Sequence, residues 1–446
     1  MCPPFLKANT GSTLGGICIR RMAGNGCQRL RKRVGPRRTV SCWTRLHCRK
    51  IGSEKRIGEE RRTSFLTRSL FGTENSKSEK KGQRRTMPDT ARIAVIGTGW
   101  WSTTAHIPAL QANPNTDLVA LADIRADAVE KAARHFGVER TYTDVHEMLA
   151  QEQLDGVVIA VWHAAHYEAA RPCLELGLHV VLEKPMTLFA AHARHLTELS
   201  HARGCQLIIG YPWNYNPHVL RVKEVLGSGR LGAIRYINNM FASSVISLYR
   251  GDDSVHDDLY QYQVTGPGDV YSDPVRSGGG QGHLQATHSI GLMLHMTGLR
   301  PVSVMALMDN LDTQVDVVDA MIVQMDNGAL ASVGSSGTLH AGGPEQEMVV
   351  QIYCDQGWIN ADIINRSCTI YYADGSVEEL PPMTDEESYL SSAPADNLVD
   401  VIVGGAPNHS PPEVGWHTVE LLDAAYRSAA DEGRRVQVSS LYESRS

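Results

Sequence analysis

The segment ARIAVIGTGWWSTTAHIPAL, residues 91–110, decides the fold of this chain. Four successive apolar residues, 93–96, predict a short buried strand, and Gly97 and Gly99 follow it directly. A strand, a glycine-rich turn and a helix in this order direct backbone N–H groups and a helix N-terminus at a pyrophosphate. Gly97 permits the tight turn, and Gly99 permits a phosphate to approach the backbone. Ser102 stands at the position of the third glycine of this fingerprint.

The segments after the turn alternate between strand and helix patterns. Residues 117–122 predict a second strand that ends at Asp123, whose carboxylate suits the ribose hydroxyls of NAD. A turn or helix-capping role for Asp123 is the alternative, and the nearby Arg125 leaves NADP open as the cofactor. Further helix patterns lie at 126–136, 145–151 and 167–176, and further strand patterns at 156–162 and 179–182. This alternation predicts a parallel, doubly wound α/β sheet.

The 446 residues carry their charge unevenly. Residues 1–86 contain 22 Lys and Arg against 5 Glu, a net charge of +17, whereas residues 87–446 carry a net charge of −23. We expect the basic leader, residues 1–86, to be disordered, because it has little apolar periodicity with which to form a core. Three interpretations of it stay open: an organellar transit peptide, a stretch upstream of a true start at Met87, and a tail for nucleic acid or an anionic surface.

The rest of the chain has the composition of a soluble globular protein. Over the whole chain the hydrophobic share is 42%, which provides a sizeable core and excludes collagen-like and wholly disordered chains. No apolar run approaches the roughly 20 residues of a membrane-spanning helix. The four cysteines after the leader are widely spaced, which fits reduced thiols in a cytoplasmic protein. For this body we expect no metal site, no membrane and no nucleic-acid partner; import into an organelle through the leader is the alternative location.

Several motifs together resemble one enzyme family. Besides the glycine turn, they are ADIR (122–125), LDGVVIAVWHAAHYEAA (154–170), GLHVVLEKP (177–185) and SGGGQGHLQATH (277–288). The chain from about Ala91 to Val436 thereby resembles the Gfo/Idh/MocA oxidoreductases, to which glucose–fructose oxidoreductase and inositol dehydrogenase belong. The EKP tripeptide, some 85 residues after the glycine turn, is the most specific of these signals.

The resemblance implies two folded domains. A Rossmann NAD(P)-binding domain is expected at 88–210, and an α+β substrate and oligomerisation domain with a large, mostly antiparallel sheet at 211–446, whose last helix returns to the first domain. Period-two patterns predict strands of this sheet at 234–241, 302–308, 318–324, 329–334, 348–353 and 369–372, and a helix pattern covers 416–430. The family also implies a homodimer or homotetramer built through the open faces of these sheets.

Lys184 and His288 are the candidate catalytic residues. Oxidation of a secondary alcohol requires hydride transfer to nicotinamide and removal of a proton, which Lys and His can accept when their pKa values lie near the working pH. The resemblance implies that Lys184 contacts substrate and nicotinamide ribose, fixed by Glu183. It also implies that His288 is a general base, but Leu284 replaces the family's aspartate four residues before it. A purely substrate-binding role for His288 is the alternative.

Further binding residues are expected near these two. Trp213 and Tyr215 combine apolar faces with a hydroxyl, which suits a sugar or cyclic polyol, although they could instead form interdomain core. His283 and Gln285 are further substrate candidates. The predicted cofactor-binding residues are Gly97, Gly99, Trp100, Trp101, Asp123, Arg125, His166, Glu183 and Lys184.

These residues favour an NAD(P)-dependent dehydrogenase that transfers hydride between a secondary alcohol of a sugar or cyclic polyol and nicotinamide. An NAD-dependent, redox-neutral enzyme of the glycosidase type would carry the same leading motifs. A non-catalytic dinucleotide-binding sensor is a further alternative because Leu284 replaces an acid. Retention of both Lys184 and His288 argues against the sensor.

Overall fold

The computed structural model describes residues 88–252, 264–340 and 345–443. The disorder predicted for the basic leader concerns residues outside these ranges, and it stays a prediction. No helix within the described ranges is both long enough and apolar enough to cross a lipid bilayer.

The first sheet has six parallel strands in the order β3-β2-β1-β4-β5-β6. Its central strands are buried over nearly their whole length because helices cover both faces. The sequences of these strands are therefore almost continuously apolar. The strands are β1 (Ala91–Ile96), β2 (Thr116–Ala122), β3 (Thr141–Tyr142), β4 (Gly156–Ile159), β5 (His179–Leu182) and β6 (Leu207–Ile209). The helices are α1 (Ile107–Ala112), α2 (Ala126–Phe136), α3 (Val145–Gln151), α4 (His166–Glu175) and α5 (Ala190–Arg203).

This sheet confirms the doubly wound fold predicted from the sequence. The strand order reverses between β1 and β4, and ligands of such sheets bind at the carboxyl ends of the strands at that point. The strand predicted at 156–162 is shorter than expected and ends at Ile159. The chain leaves the sheet there because it passes directly against the glycine turn: an added Cβ on Gly97 would lie 2.4 Å from the carbonyl oxygen of Ala160.

The second sheet has nine strands in the order β14-β13-β12-β11-β7-β10-β9-β8-β15, and all neighbours are antiparallel except β7 and β10. Buried and exposed residues alternate along strands such as β9, so one face forms the core. The strands are β7 (Ile234–Ser243), β8 (Pro301–Asp309), β9 (Val318–Met325), β10 (Leu330–Ser336), β11 (Gln346–Cys354), β12 (Gly357–Asp362), β13 (Ser367–Tyr372), β14 (Val377–Glu379) and β15 (Val436–Gln437). The large, mostly antiparallel sheet is confirmed, and β12, β14 and β15 were not predicted.

Helices cover the buried face of the second sheet and reach back to the first. The helices after β6 are α6 (Pro217–Gly227), α7 (Ile246–Tyr249), α8 (Pro274–Ser277), α9 (Thr287–Thr297), α10 (Asp385–Ser388), α11 (Ala393–Gly404) and α12 (Pro412–Ala430). Residues of α6, α9 and α12 share one core with the sheet. The unpredicted α11 packs into the core beside β1, and Asp423 of α12 accepts a 3.0 Å hydrogen bond from the backbone N–H of Ala190 in α5.

Candidate active site

A cavity of about 730 Å³ lies where residues of the two sheets and their helices meet. The first half of the chain lines it with the glycine turn and with residues at the carboxyl ends of β2 and β5. The second half contributes residues from the start of α9 and from the β12–β13 turn. Of the predicted site residues, the cavity brings together Gly97, Gly99, Trp100, Trp101, Asp123, Arg125, His166, Glu183, Lys184, Trp213, Gln285 and His288.

The glycine turn leaves its backbone open to the cavity. Gly97 has a φ of 92°, a region that favours glycine, and its neighbour Ala160 leaves no room for a side chain. A Cβ on Gly99 would meet nothing within 4 Å, so the space beside this backbone is free for a ligand group. Ser102, buried at the third glycine position, begins one turn of π-helix that leads into α1.

The carboxylate of Asp123 is held in place beside this turn. One oxygen accepts hydrogen bonds from the N–H and hydroxyl of Thr98, at 2.8 and 3.0 Å. The other accepts from the backbone N–H and Nε of Arg125, at 3.0 and 3.1 Å. Burial raises the pKa of Asp123, but the hydrogen bonds from Arg125 and Thr98 outweigh it, and the net pKa lies below the ordinary value. The acid is therefore an anion at neutral pH.

Glu183 forms a buried hydrogen-bonded pair with His106 at the end of β5. Its Oε1 lies 2.8 Å from Nε2 of His106, and its Oε2 accepts a 3.1 Å hydrogen bond from the backbone N–H of Lys184. The carboxylate packs directly on Gly210, where an added Cβ would lie 2.5 Å from Oε1. Burial raises the pKa of Glu183, but the His106 hydrogen bond and the charges of His106 and Lys184 bring it below the ordinary value. A negative charge thus lies directly beside Lys184.

Lys184 points across the cavity to the second half of the chain. Its Nζ donates a 2.9 Å hydrogen bond to the backbone carbonyl of Leu284, and the Lys184–Pro185 peptide bond is cis. Burial lowers the pKa of Lys184 to about 8, while the charge of Glu183 acts in the opposite direction. A lysine with this pKa has a substantial neutral fraction at mildly alkaline pH, and its amine can then accept a proton.

His288 lies among aromatic rings, and no carboxylate of the described residues pairs with it. Its ring centroid is 5.1 Å from that of Trp213 and 6.2 Å from that of Tyr211, both edge to face. Nδ1 of His288 has no hydrogen-bond partner among the residues that the structure describes. Leu284, at the position of the family's acid, packs with Val245, Leu248 and Tyr249 instead. Burial, together with the charges of Lys184 and His163, holds the pKa of His288 well below its ordinary value.

His166 lines the cavity, but its ring nitrogens face the backbone. Nδ1 lies 2.7 Å from the carbonyl oxygen of Pro185, and Nε2 lies 3.1 Å from that of Val161. Burial lowers the pKa of His166, and a neutral imidazole can donate to only one of these two carbonyls. The side chain of His166 therefore helps to hold the loop after β5 in place through Pro185, and only its ring surface is open to a ligand.

Two predicted substrate residues do not line this cavity. The Tyr215 hydroxyl donates a 3.1 Å hydrogen bond to Asn397 in α11. The His283 ring stacks on Tyr426 of α12, with centroids 4.4 Å apart, and lies beside a separate groove. Both residues belong to segments that do reach the site, but their side chains point to the other side.

Other residues that line the cavity were not predicted from the sequence. Tyr389 completes an aromatic wall, with its ring centroid 4.7 Å from that of Trp213 and 6.4 Å from that of Trp101. His163 also lines the cavity, and its Nδ1 lies 2.9 Å from the carbonyl oxygen of Ser277. His163 lies close to the predicted His166 in the sequence and could have been identified from it, whereas nothing near Tyr389 in the sequence indicated a site.

Two family models match the chain. One, described as the oxidoreductase family with an NAD-binding Rossmann fold, matches residues 91–211. The other, described as the GFO/IDH/MocA C-terminal domain, matches residues 219–360. The two matches cover the first sheet and most of the second.

Curated relatives match over part of their length. An uncharacterized oxidoreductase of Synechocystis is 34% identical over 145 residues, 32% of this chain and 39% of that protein. The 1-carboxy-3-chloro-3,4-dihydroxycyclohexa-1,5-diene dehydrogenase of Comamonas testosteroni is 24% identical over 271 residues, 60% of this chain and 61% of that protein. D-xylose 1-dehydrogenase [NADP(+)] of Haloarcula marismortui is 28% identical over 175 residues, 38% of this chain and 49% of that protein. The chain thus spans less than two thirds of each of these relatives.

Solved structures match over nearly their whole length. GenD2 from gentamicin A biosynthesis, solved in complex with NAD, has a TM-score of 0.62 and 26% identity, covering 79% of this chain and 97% of that one. Levoglucosan dehydrogenase in complex with NADH has a TM-score of 0.66 and 18% identity, covering 78% of this chain and 99% of that one. The second likeness concerns the fold alone.

Proposed function

The chain belongs to the Gfo/Idh/MocA oxidoreductase family and contains its NAD-binding Rossmann domain, and from this premise we propose that it is an NAD-dependent dehydrogenase that oxidises a secondary alcohol of a sugar or cyclic polyol. The observation that carries the proposal is that Lys184 and His288 line the same cavity as the glycine turn. Lys184 has the pKa of about 8 that proton transfer near neutral pH requires.

The residues around the glycine turn fit NAD. The open backbone at Gly99 suits the pyrophosphate, and the anionic Asp123 suits the hydroxyls of the adenosine ribose. The same carboxylate would repel a 2′-phosphate, although the half-exposed Arg125 beside it keeps NADP as the alternative. When bound, NAD supplies the acceptor for the hydride.

Lys184 takes the proton of the alcohol in this proposal. NAD, when bound, would accept the hydride, and as the product carbonyl forms the hydroxyl proton passes to the neutral amine of Lys184. The ammonium that results is stabilised by the charge of Glu183 and by the carbonyl of Leu284. In the reductive direction the same ammonium returns the proton.

His288 orients the substrate oxygen rather than collecting the proton. Its imidazole is buried, neutral at pH 7 and without a carboxylate partner in the described part of the chain, so its protonated form is poorly stabilised. A neutral imidazole can still donate or accept a hydrogen bond to a hydroxyl. In this proposal His288 has the substrate-binding role that was the alternative for it, and Lys184 accepts the proton.

The aromatic wall supports a sugar or cyclic polyol as substrate. Trp213, Tyr389 and Trp101 offer faces on which the C–H groups of a sugar ring can pack, and Gln285 offers an amide to a hydroxyl. The names of the xylose and dihydroxycyclohexadiene dehydrogenases among the relatives agree with this class.

The exposed face of the second sheet supports assembly into a homodimer or homotetramer. Large apolar side chains stand exposed on neighbouring strands, with Leu307 at 65%, Ile322 at 53% and Leu330 at 50% exposure. Exposed apolar side chains on one sheet face are typical of protein interfaces. Sedimentation analysis of the purified chain measures the assembly directly, and a monomer at micromolar concentration would contradict this part of the proposal.

A substrate screen tests the proposed activity. NADH absorbance is followed with NAD and a panel of aldoses, inositols and anhydrosugars. We expect reduction of NAD by at least one panel member, with a rate that rises about tenfold per pH unit below pH 8 and levels above it, since only the neutral amine accepts a proton. NAD binding without turnover of any panel member would favour a sensor. Release of sugar from a glycoside without net NADH would favour the redox-neutral alternative.

A further inference from the structure

A buried carboxylate outside the cavity holds the glycine run at residues 278–282. Oδ1 of Asp316 accepts a 2.7 Å hydrogen bond from the N–H of Gly280, and Oδ2 accepts one of 2.7 Å from the N–H of Gly282. The carbonyl oxygen of Asp316 also accepts a 2.8 Å hydrogen bond from the N–H of Gln281. One residue thus binds three consecutive backbone amides. The approach requires glycine, because a Cβ on Gly280 would lie 2.0 Å from that carbonyl oxygen.

The last helix completes this arrangement. The hydroxyl of Tyr426 in α12 donates a 2.8 Å hydrogen bond to Oδ1 of Asp316, and its ring stacks on His283. A Cβ on Gly279 would lie 2.3 Å from the Tyr426 hydroxyl oxygen, and one on Gly282 would lie 2.6 Å from it. The glycines therefore allow Asp316 and Tyr426 to lie directly against the backbone.

The glycine run leads into the part of the site that Lys184 contacts. Gly282 begins a π-helical turn over Gly282–Ala286, and the Leu284 carbonyl within this turn accepts the hydrogen bond from Lys184. The first amides of a helix have no partners within it, and a carboxylate there is favourable. A π-helical turn is intrinsically rare and depends on such external contacts.

We propose that Asp316 is a positioning residue for the dehydrogenase reaction, because its grip on the amides of Gly280 and Gly282 sets where the Leu284 carbonyl meets the amine of Lys184. The proposal rests on the proposed function for its catalytic meaning. It also explains why Leu284 can stand in place of an acid: the side chain of Asp316 supports the same turn through hydrogen bonds from its backbone amides.

A second buried carboxyl, Asp319, lies close by and provides a comparison. Burial, the charge of Asp316 and a side-chain hydrogen bond with Asp316 raise the pKa of Asp319 well above its ordinary value. The carboxylate of Asp316 instead accepts three hydrogen bonds, from the N–H groups of Gly280 and Gly282 and from the Tyr426 hydroxyl. The titratable groups that face Asp316 are Asp319, Tyr249, Tyr426 and His283. The titratable groups that face Lys184 are Glu183, His163, His166 and His288.

The variants Asp316→Asn and Asp319→Asn, made in the full chain, test the proposal as a matched pair. An amide at 316 places N–H against N–H, so the turn shifts and the ammonium of Lys184 loses the support of the Leu284 carbonyl. We expect kcat to fall about 10- to 100-fold with little change in NADH binding. The pH midpoint of Lys184 should fall by about 0.5–1 unit. Asp319→Asn changes a neighbouring carboxyl for which the structure describes no hydrogen bond to the glycine run, and it should keep the wild-type midpoint.

The midpoint is measured in two ways, from the pH profile of kcat and from acetylation of Lys184 by acetic anhydride followed by mass spectrometry. Wild-type kcat and midpoint in Asp316→Asn would overturn the proposal, as would equal effects of the two variants. If Asp316→Asn does not fold, Tyr426→Phe removes one hydrogen bond to Asp316 and keeps the ring on His283. It should lower both values in the same direction but less, and wild-type values would then overturn the proposal. Absence of NAD reduction by the wild type contradicts only the proposed function, since the labelling midpoint needs no turnover.

Discussion

The two halves of the chain surround their candidate site residues differently. Charged groups from the first half have partners: Glu183 pairs with His106, and Asp123 pairs with Arg125. The second half contributes His288, surrounded by aromatic rings and without a charged partner in the described part of the chain. The comparison teaches that the cavity joins two environments: paired acids from the first half and, around His288, aromatic rings from the second. Lys184 lies where they meet, and its pKa reflects both, because burial lowers it and Glu183 opposes the decrease.

The two sheets also differ in how they bring functional groups to the cavity. The parallel sheet is covered on both faces, so its functional groups come from the loops at the carboxyl ends of its strands. The antiparallel sheet has one covered face, and the helix on that face, α9, carries His288 into the cavity from an apolar core. Polar chemistry therefore comes from strand ends in one half and from a helix start in the other.

Lys184→Met should have the largest effect and tests whether the first half supplies the proton acceptor. We expect kcat/KM for alcohol oxidation to fall about 1,000-fold, because general base catalysis is lost, while NADH fluorescence titration shows retained binding. Lys223→Met, which removes an exposed lysine of α6, is the control and should keep wild-type rates. A loss of less than tenfold in Lys184→Met would assign the proton transfer to another group.

His288→Asn should have an intermediate effect and tests whether the second half orients rather than titrates. An amide retains hydrogen bonding but alters its geometry, so we expect kcat to fall about 10- to 100-fold. The rise of activity with pH should keep its midpoint near 8, since Lys184 determines it. Disappearance of that pH limb, measured from pH 6 to 10, would instead identify His288 as the base.

Asp123→Ser should have the smallest effect and tests the charged end of the first half. Loss of the carboxylate removes an acceptor for the ribose hydroxyls and the repulsion of a 2′-phosphate. We expect KM for NAD to rise about tenfold and KM for NADP to fall, in steady-state assays with both cofactors. Asp127→Ser, which removes an exposed acid four residues later, should change neither value. An unchanged cofactor preference in Asp123→Ser would place the ribose elsewhere.

Local sequence predicted the first sheet closely. The helices at 126–136 and 145–151 and the strand at 179–182 have the predicted bounds, because each depends on neighbouring residues alone. The antiparallel strands were found from their alternation, apart from β12 and the short β14 and β15. For the site, the motifs identified the segments that line the cavity. They did not identify the direction of each side chain, and Tyr215 and His283 accordingly lie away from it.

Sequence alone determined the order of the main elements of the first sheet and the glycine turn. It also determined that a lysine follows a strand of that sheet and that a histidine follows the glycine run at 278–282. These follow from periodicity and from residue types that only particular backbones accept. The tertiary structure decided the ionisation of these groups and their supports: His106 reaches Glu183 across 77 positions, and Asp316 reaches Gly280 across 36. Burial and charge act through space, so a residue's pKa depends on neighbours that the chain brings together only when it folds.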